Sequence, residues 1–206
     1  MPLTPYSLPR DIRFGRAFFL DDFLGTSYDS RIWSTDITAG GTFSASDKVG
    51  GVFIMTTNPT ANSYVYLYGN RGYTCQKNVE IEFMFYNSSM SDLLFEVGMR
   101  NGRQGTSGVM ARMDTLASGY WIFRTNNAGS ITNVTTDVAL DGDIYRFIRI
   151  KTSSTEAQLF YNGQLKATIN TNIPTADLEP YVYAYARSNI AISLGLNYVW
   201  AQGDRP

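Results

Sequence analysis

Residues 155–169 read TEAQLFYNGQLKATI, two runs of strand-forming residues broken by Asn162-Gly163. A type I′ turn needs positive φ at both central positions, which Asn and Gly tolerate best, so this stretch is the strongest hairpin signal in the chain. Working outward from it, runs with period-2 alternation or β-branched and aromatic enrichment recur about every ten to fifteen residues, the spacing of a many-stranded antiparallel protein. They predict strands over 17–24, 51–57, 63–68, 79–86, 93–100, 107–113, 119–124, 144–151, 155–161, 164–169, 180–186 and 190–200. Further reversals are expected at Gly40-Gly41, Gly50-Gly51, Asn126-Asn127 with Gly129, and Asp141-Gly142. Nothing repeats at helical period, and no low-complexity linker divides the chain after residue 20.

Composition points the same way and excludes several functions. The 206 residues include 14 Tyr, 12 Phe, 3 Trp and 18 Gly, a balance that suits pleated surfaces and turns. With 17 basic against 18 acidic side chains the formal net charge is −1, which leaves no basic footprint for nucleic acid. The absence of histidine rules out a Ser-His-Asp or Cys-His relay, an imidazole-bound zinc and a histidine pH switch. Cys75 is the single cysteine, so no internal disulfide forms, and it is expected as a buried thiol. No stretch reaches the eighteen or so apolar residues of a membrane helix, so no membrane partner is expected.

The first residues differ from the rest. MPLTPYSLPRDIRFGRAFF carries prolines at 2, 5 and 9 and arginines at 10, 13 and 16, without the apolar run or cleavage site of a signal peptide. Three prolines favour an extended conformation, so residues 1–16 are expected as an arm and 17–206 as the folded domain. Tyr6, Arg10, Arg13 and Arg16 would dock that arm on a neighbouring subunit or back on its own domain. A product without a secretion signal is expected to be made in the host cytoplasm and to end on a virion, any route out of the cell being lysis or carriage on a particle.

The motifs at both ends resemble those of the concanavalin A-like lectin/glucanase superfamily, the jelly roll of laminin G-like modules, legume lectins and family 16 glycoside hydrolases. Phe19-Leu20-Asp21-Asp22-Phe23 followed by Tyr28-Asp29-Ser30-Arg31-Ile32-Trp33 looks like the opening phrase of that family. Tyr145-Arg146-Phe147, Ile148-Arg149-Ile150, Leu159-Phe160-Tyr161-Asn162-Gly163-Gln164-Leu165, Asn172-Ile173-Pro174 and Asn197-Tyr198-Val199 look like its closing strands. The resemblance covers roughly residues 17 to 200 and implies an all-β, two-sheet antiparallel jelly-roll sandwich with an extended N-terminal arm.

The departures from that pattern bear on function. Retaining glucanases of this fold carry three carboxylates alternating on one concave strand, because glycoside cleavage needs a nucleophile and an acid about 5 Å apart. The nearest stretch is Val79-Glu80-Ile81-Glu82-Phe83-Met84-Phe85, where Glu80 and Glu82 share a face but the third carboxylate is missing. Glu80 and Glu82 are therefore expected on a solvated face above a core of Ile81, Phe83 and Phe85. Asp92 and Glu96 form a weaker pair, and no enzymatic activity is expected, family 16-like hydrolysis being the alternative. The resemblance also implies a structural calcium, for which Asp21 or Asp22 and Asn197 occupy the matching positions, with Asn contributing an oxygen but no charge. The alternative there is that the aspartates cap a turn and Asn197 bonds the backbone.

Two strands are tiled with phenols. Tyr64, Tyr66 and Tyr68 share one face of their strand, and Tyr181, Tyr183 and Tyr185 repeat the arrangement. Such rings, with Trp121, suit a glycan or a protein interface, or pack between sheets with their hydroxyls satisfied at the edge. Asn87-Ser88-Ser89 and Asn133-Val134-Thr135 match the glycosylation pattern by chance, and Arg100-Asn101-Gly102-Arg103-Gln104-Gly105 is expected as an exposed loop. Arg124, Arg146, Arg149 and Arg187 are expected as dispersed ion-pair or solvent-facing residues.

Two functions follow. One, by analogy with phage virion proteins on this fold, is a virion structural protein: a capsid decoration or cement protein, or a head or tail fibre component. It would dock by its arm on a capsid or tail protein, as a homo-oligomer, with the sandwich outward. The other is a glycan-binding, receptor-binding module for a host-surface glycan, or a degenerate glucanase. The direction of the tyrosines separates them.

Overall fold

The computed structural model describes residues 16–23, 28–46, 52–70, 73–74, 78–87, 91–102, 105–142 and 144–204. Tyr6, Arg10, Arg13 and Cys75 lie outside them, and Arg16 is the first residue of the first strand. Two antiparallel sheets face each other as a sandwich. The back sheet runs β14 (Gln164–Ile169), β13 (Ala157–Tyr161), β12 (Arg146–Thr152), β7 (Glu80–Asn87), β16 (Ser193–Asp204), β4 (Val52–Thr56) and β3 (Thr42–Ser46), with β1 (Arg16–Asp21) also paired to β16. The front sheet runs β11 (Ser130–Ala139), β10 (Tyr120–Asn127), β9 (Gly108–Asp114), β8 (Leu93–Arg100), β15 (Asp177–Ala186), β5 (Ser63–Gly69) and β2 (Trp33–Ile37), with the two-residue β6 (Tyr73–Thr74) paired to β15. No helix among the described residues is long and apolar enough to cross a membrane.

Every run expected as a strand falls on one. The Asn162-Gly163 turn adopts φ of 47° and 81°, the two positive values its residues were expected to supply, and joins β13 to β14. Inward alternation builds the core: Ile81, Phe83 and Phe85 from β7 meet Phe95, Val97 and Met99 from β8 and Trp121 and Phe123 from β10. Two polar fixtures close the sandwich. Asp21 accepts the Phe23 backbone N–H at 2.9 Å and the buried Trp33 indole N–H at 2.7 Å, which ties the end of β1 to the start of β2. Arg146, expected as an ion-paired or solvent-facing residue, is ion-paired and fully buried: its guanidinium donates to Asn87 Oδ1 at 2.6 Å and to Asp141 Oδ1 at 2.8 Å, so its charge is matched.

Candidate functional site

The outer face of the front sheet carries the tyrosines. Register sets Tyr181 opposite Tyr68, Tyr183 opposite Tyr66 and Tyr185 opposite Tyr64, a two-by-three array of phenols on β15 and β5. They lie outside the sandwich, and Val65, Leu67, Val182 and Ala184 of the same strands fill the core. Tyr66, Tyr181 and Met110 form a second small apolar cluster on this outer face, with Tyr64, Tyr68 and Tyr183 packed half-buried around it. Gly98 makes the cluster possible where β8 passes β9, since a Cβ there would stand 2.2 Å from the Val109 carbonyl oxygen.

Trp121 does not join this face. It points inward, 0% exposed, with its ring centroid 6.0 Å from that of Phe85 and 6.1 Å from that of Phe95. Alternation along β10 sends Trp121 and Phe123 into the core and Ile122 and Arg124 outward, which overturns its expected place beside a glycan.

Beside the tyrosine array lies a groove of about 400 Å³, lined by Tyr64, Tyr66 and Tyr183 on one side and by residues of β8, β9 and β10 on the other. Cross-strand pairing places Tyr183 beside Glu96 and Glu96 beside Arg112, so one row crosses three strands. Glu96, 4% exposed, accepts from Arg112 Nη1 at 3.0 Å and from the Tyr181 hydroxyl at 3.1 Å. Arg112 also donates to Asp114 Oδ2 at 2.5 Å, and Asp114 pairs with Arg187 at 2.8 Å on its other oxygen. Burial pushes the Tyr183 hydroxyl up to about 12, helped by the negative charge of Glu96, and raises Tyr66 and Tyr181 too. These phenols remain protonated at neutral pH and serve as hydrogen-bond donors, not as bases.

Arg100 and Ser107, on either side of the turn after β8, form one rim. Tyr66 donates its hydroxyl proton to the Gly102 carbonyl at 3.3 Å, and Arg100 Nε donates to the Gly105 carbonyl at 3.0 Å, so the described residues of the stretch expected as an exposed loop are tied to the groove, Arg103 and Gln104 lying outside the described residues. Sequence reading named Arg124 and Glu96 without linking them and did not single out Met110 or Arg112. The alternation of Gly108, Met110 and Arg112 puts them on one face, but the strand opposite could not be chosen without the register.

The other expected residues are accounted for. Glu80 and Glu82 sit half-buried on the outer face of the back sheet beside Arg149 and Lys151, where Tyr198 donates to Glu82 and Gln202 to Glu80. Asp92 occupies the turn before β8 and its carbonyl accepts the Arg187 N–H, away from any pairing with Glu96. Asp21 is committed to Phe23 and Trp33, Asp22 is exposed, and Asn197 sits at a bulge in β16 with its Oδ1 buried and unpaired. Among the described residues no three His, Cys, Asp or Glu side chains converge as metal ligands.

No family model matches this sequence, and no curated protein matches it. Solved structures match the fold. A protein of unknown function from Shewanella oneidensis MR-1 superposes with a TM-score of 0.68 at 14% identity, over 96% of this chain and 90% of that one. The Bacillus licheniformis β-glucanase gives 0.67 at 14% identity over 91% and 98%. The Emp47p carbohydrate recognition domain gives 0.66 at 12% identity over 93% and 98%. At these identities the likeness is one of fold: the chain is a two-sheet antiparallel jelly-roll sandwich, as the β-glucanase and the carbohydrate recognition domain are.

Proposed function

We propose that this chain is a non-catalytic carbohydrate-binding domain that holds a glycan in the groove on the outer face of the front sheet. The observation that carries the reading is the groove itself: three phenol rings beside buried, pre-positioned polar groups, on a face where rings can lie against sugar rings and hydroxyls can meet Glu96, Asn126 and the arginines. Hydrolysis is disfavoured by the same geometry. Glu96 is the single carboxylate among the described residues lining the groove, and it is held by Arg112 and Tyr181, whereas retention or inversion needs two carboxyl groups free to act on the sugar.

The virion role, expected by analogy with phage proteins on this fold, would dock through an arm of which residues 1–15 lie outside the described part of the chain, and the neighbours named above are a glucanase, a carbohydrate recognition domain and a protein of unknown function. The carbohydrate reading is preferred on that ground. A glycan array followed by titration of the best ligand tests it. Tyr183→Ala, folded by circular dichroism, is expected to bind about tenfold more weakly. No reducing ends are expected on incubation with soluble glycan; their release would remove the non-catalytic part of the reading.

A further inference from the structure

The charge of the groove narrows what it takes. Three guanidiniums, from Arg100, Arg112 and Arg124, line it against one carboxylate, Glu96, in a chain whose net charge is −1. Arg112 and Arg187 are matched by Glu96 and Asp114 in the paired row. Arg100 and Arg124 are not matched. Among the described residues neither has a carboxylate within ion-pairing distance. Each spends its Nε on a neutral acceptor, the Gly105 carbonyl at 3.0 Å and Asn133 Oδ1 at 2.7 Å, which holds the fork in place and leaves the terminal Nη groups for a ligand. Glu179 stands opposite Arg100 in the β8–β15 register without an ion pair to it. Burial and the nearby Arg112 make the Arg124 cation less favourable than in water, a cost that an anion would relieve.

We infer that the groove selects a sugar bearing an anionic substituent, a uronate carboxylate or a sulfate ester, gripped by the guanidinium forks of Arg100 and Arg124 beside the Tyr183 and Tyr66 rings. Planar forks with fixed donors suit the paired oxygens of such groups better than they suit neutral hydroxyls. This inference rests on the carbohydrate-binding reading of the same groove, and the test separates the two.

Isothermal titration compares a tetra-uronate, a sulfated tetrasaccharide and a neutral β-glucan tetrasaccharide at low and moderate salt. Binding of either anionic ligand at least tenfold tighter than the neutral one, weakening as salt rises, is expected. Arg100→Gln and Arg124→Gln should each cost about tenfold in affinity for the anionic ligand, and the Lys variants should recover part of it. Whichever anionic ligand binds identifies the substituent. Equal or tighter binding of the neutral ligand, or anionic binding that survives both Gln variants, overturns the inference and leaves the glycan reading standing. Failure of all three ligands to bind overturns both. The salt dependence is read on the unaltered protein, so a variant that misfolds does not remove the test.

Discussion

The two outer faces of this sandwich are built from the same alternation and end up as different surfaces. On the back sheet the outward residues are a partly solvated ladder: Glu80 and Glu82, 17% and 26% exposed, lie beside Arg149 and Lys151, 31% and 41% exposed, with the nearest ion pairs at 3.3 and 3.4 Å. On the front sheet the outward residues bury one another. Glu96, Arg112 and Asp114 form a row sealed by Tyr181 and Arg187, roofed by an apolar cluster that the back sheet lacks among its described residues. Charge at a water-facing position is cheap to place and contributes little; charge held dry must be paired, and such a row is pre-positioned for recognition.

Breaking the front row gives the largest expected effect. Arg112→Ala strands Glu96 beneath the tyrosines and leaves Asp114 with Arg187 alone, and should lower the unfolding free energy by about 3 kcal/mol, read as a shift of the urea midpoint. A loss below about 1 kcal/mol would show that water reaches the row and would erase the contrast.

Acid sharpens the same contrast. Burial pushes the Asp114 carboxyl up, but its bonds to Arg112 and Arg187 outweigh that push and hold it below its ordinary value of 3.8. A carboxylate depressed in the folded state stabilises the fold above its unfolded value, and that contribution is lost as pH falls through the folded value. Stability should therefore drop as pH is lowered below 3.8, and Asp114→Asn, already weaker at neutral pH, should drop less steeply over that range. Parallel curves for the two proteins would place the acid sensitivity elsewhere. The smallest effect is on the back sheet, where Arg149→Ala should change the unfolding free energy by no more than about 1 kcal/mol, because its ion pairs are long and partly open to water and Lys151 remains beside Glu80.

Much of the fold was legible in the sequence because central strands advertise themselves. β7, β8, β15 and β16 are packed on their inner faces and bordered on both sides, and their apolar alternation shows it. The strands that escaped notice were β2, β3, β11 and the two-residue β6, of which β2, β3 and β11 are sheet edges. Ser130–Ala139 reads SITNVTTDVA and lies mostly open to solvent, so the core leaves little imprint on it. The site was half legible. The tyrosine array could be read from period 2 alone, and so could the shared outward face of Glu80 and Glu82. Trp121 was misplaced because an aromatic next to a strand's start carries no mark of which way it faces, and β10 shifts register against β11 between Tyr120 and Ile122. The row from Tyr183 through Glu96 to Arg112 joins residues far apart in the chain, which only strand order brings together.

The positions of β15 and β16 set the order in which this molecule can assemble. β15 is the seam between the β8–β11 meander and β5 in the front sheet, and β16 is the seam that joins β7 to β4 and takes β1 in the back sheet. They are also the last two strands along the described chain, and Arg16 pairs with Asp204 across nearly all of it. Until those two segments emerge during synthesis, both sheets exist only as unjoined halves with open edges. Folding should thus be late, all-or-none and slow, with closure of very long loops as its barrier, and a nascent chain stalled before residue 177 would be a substrate for chaperones.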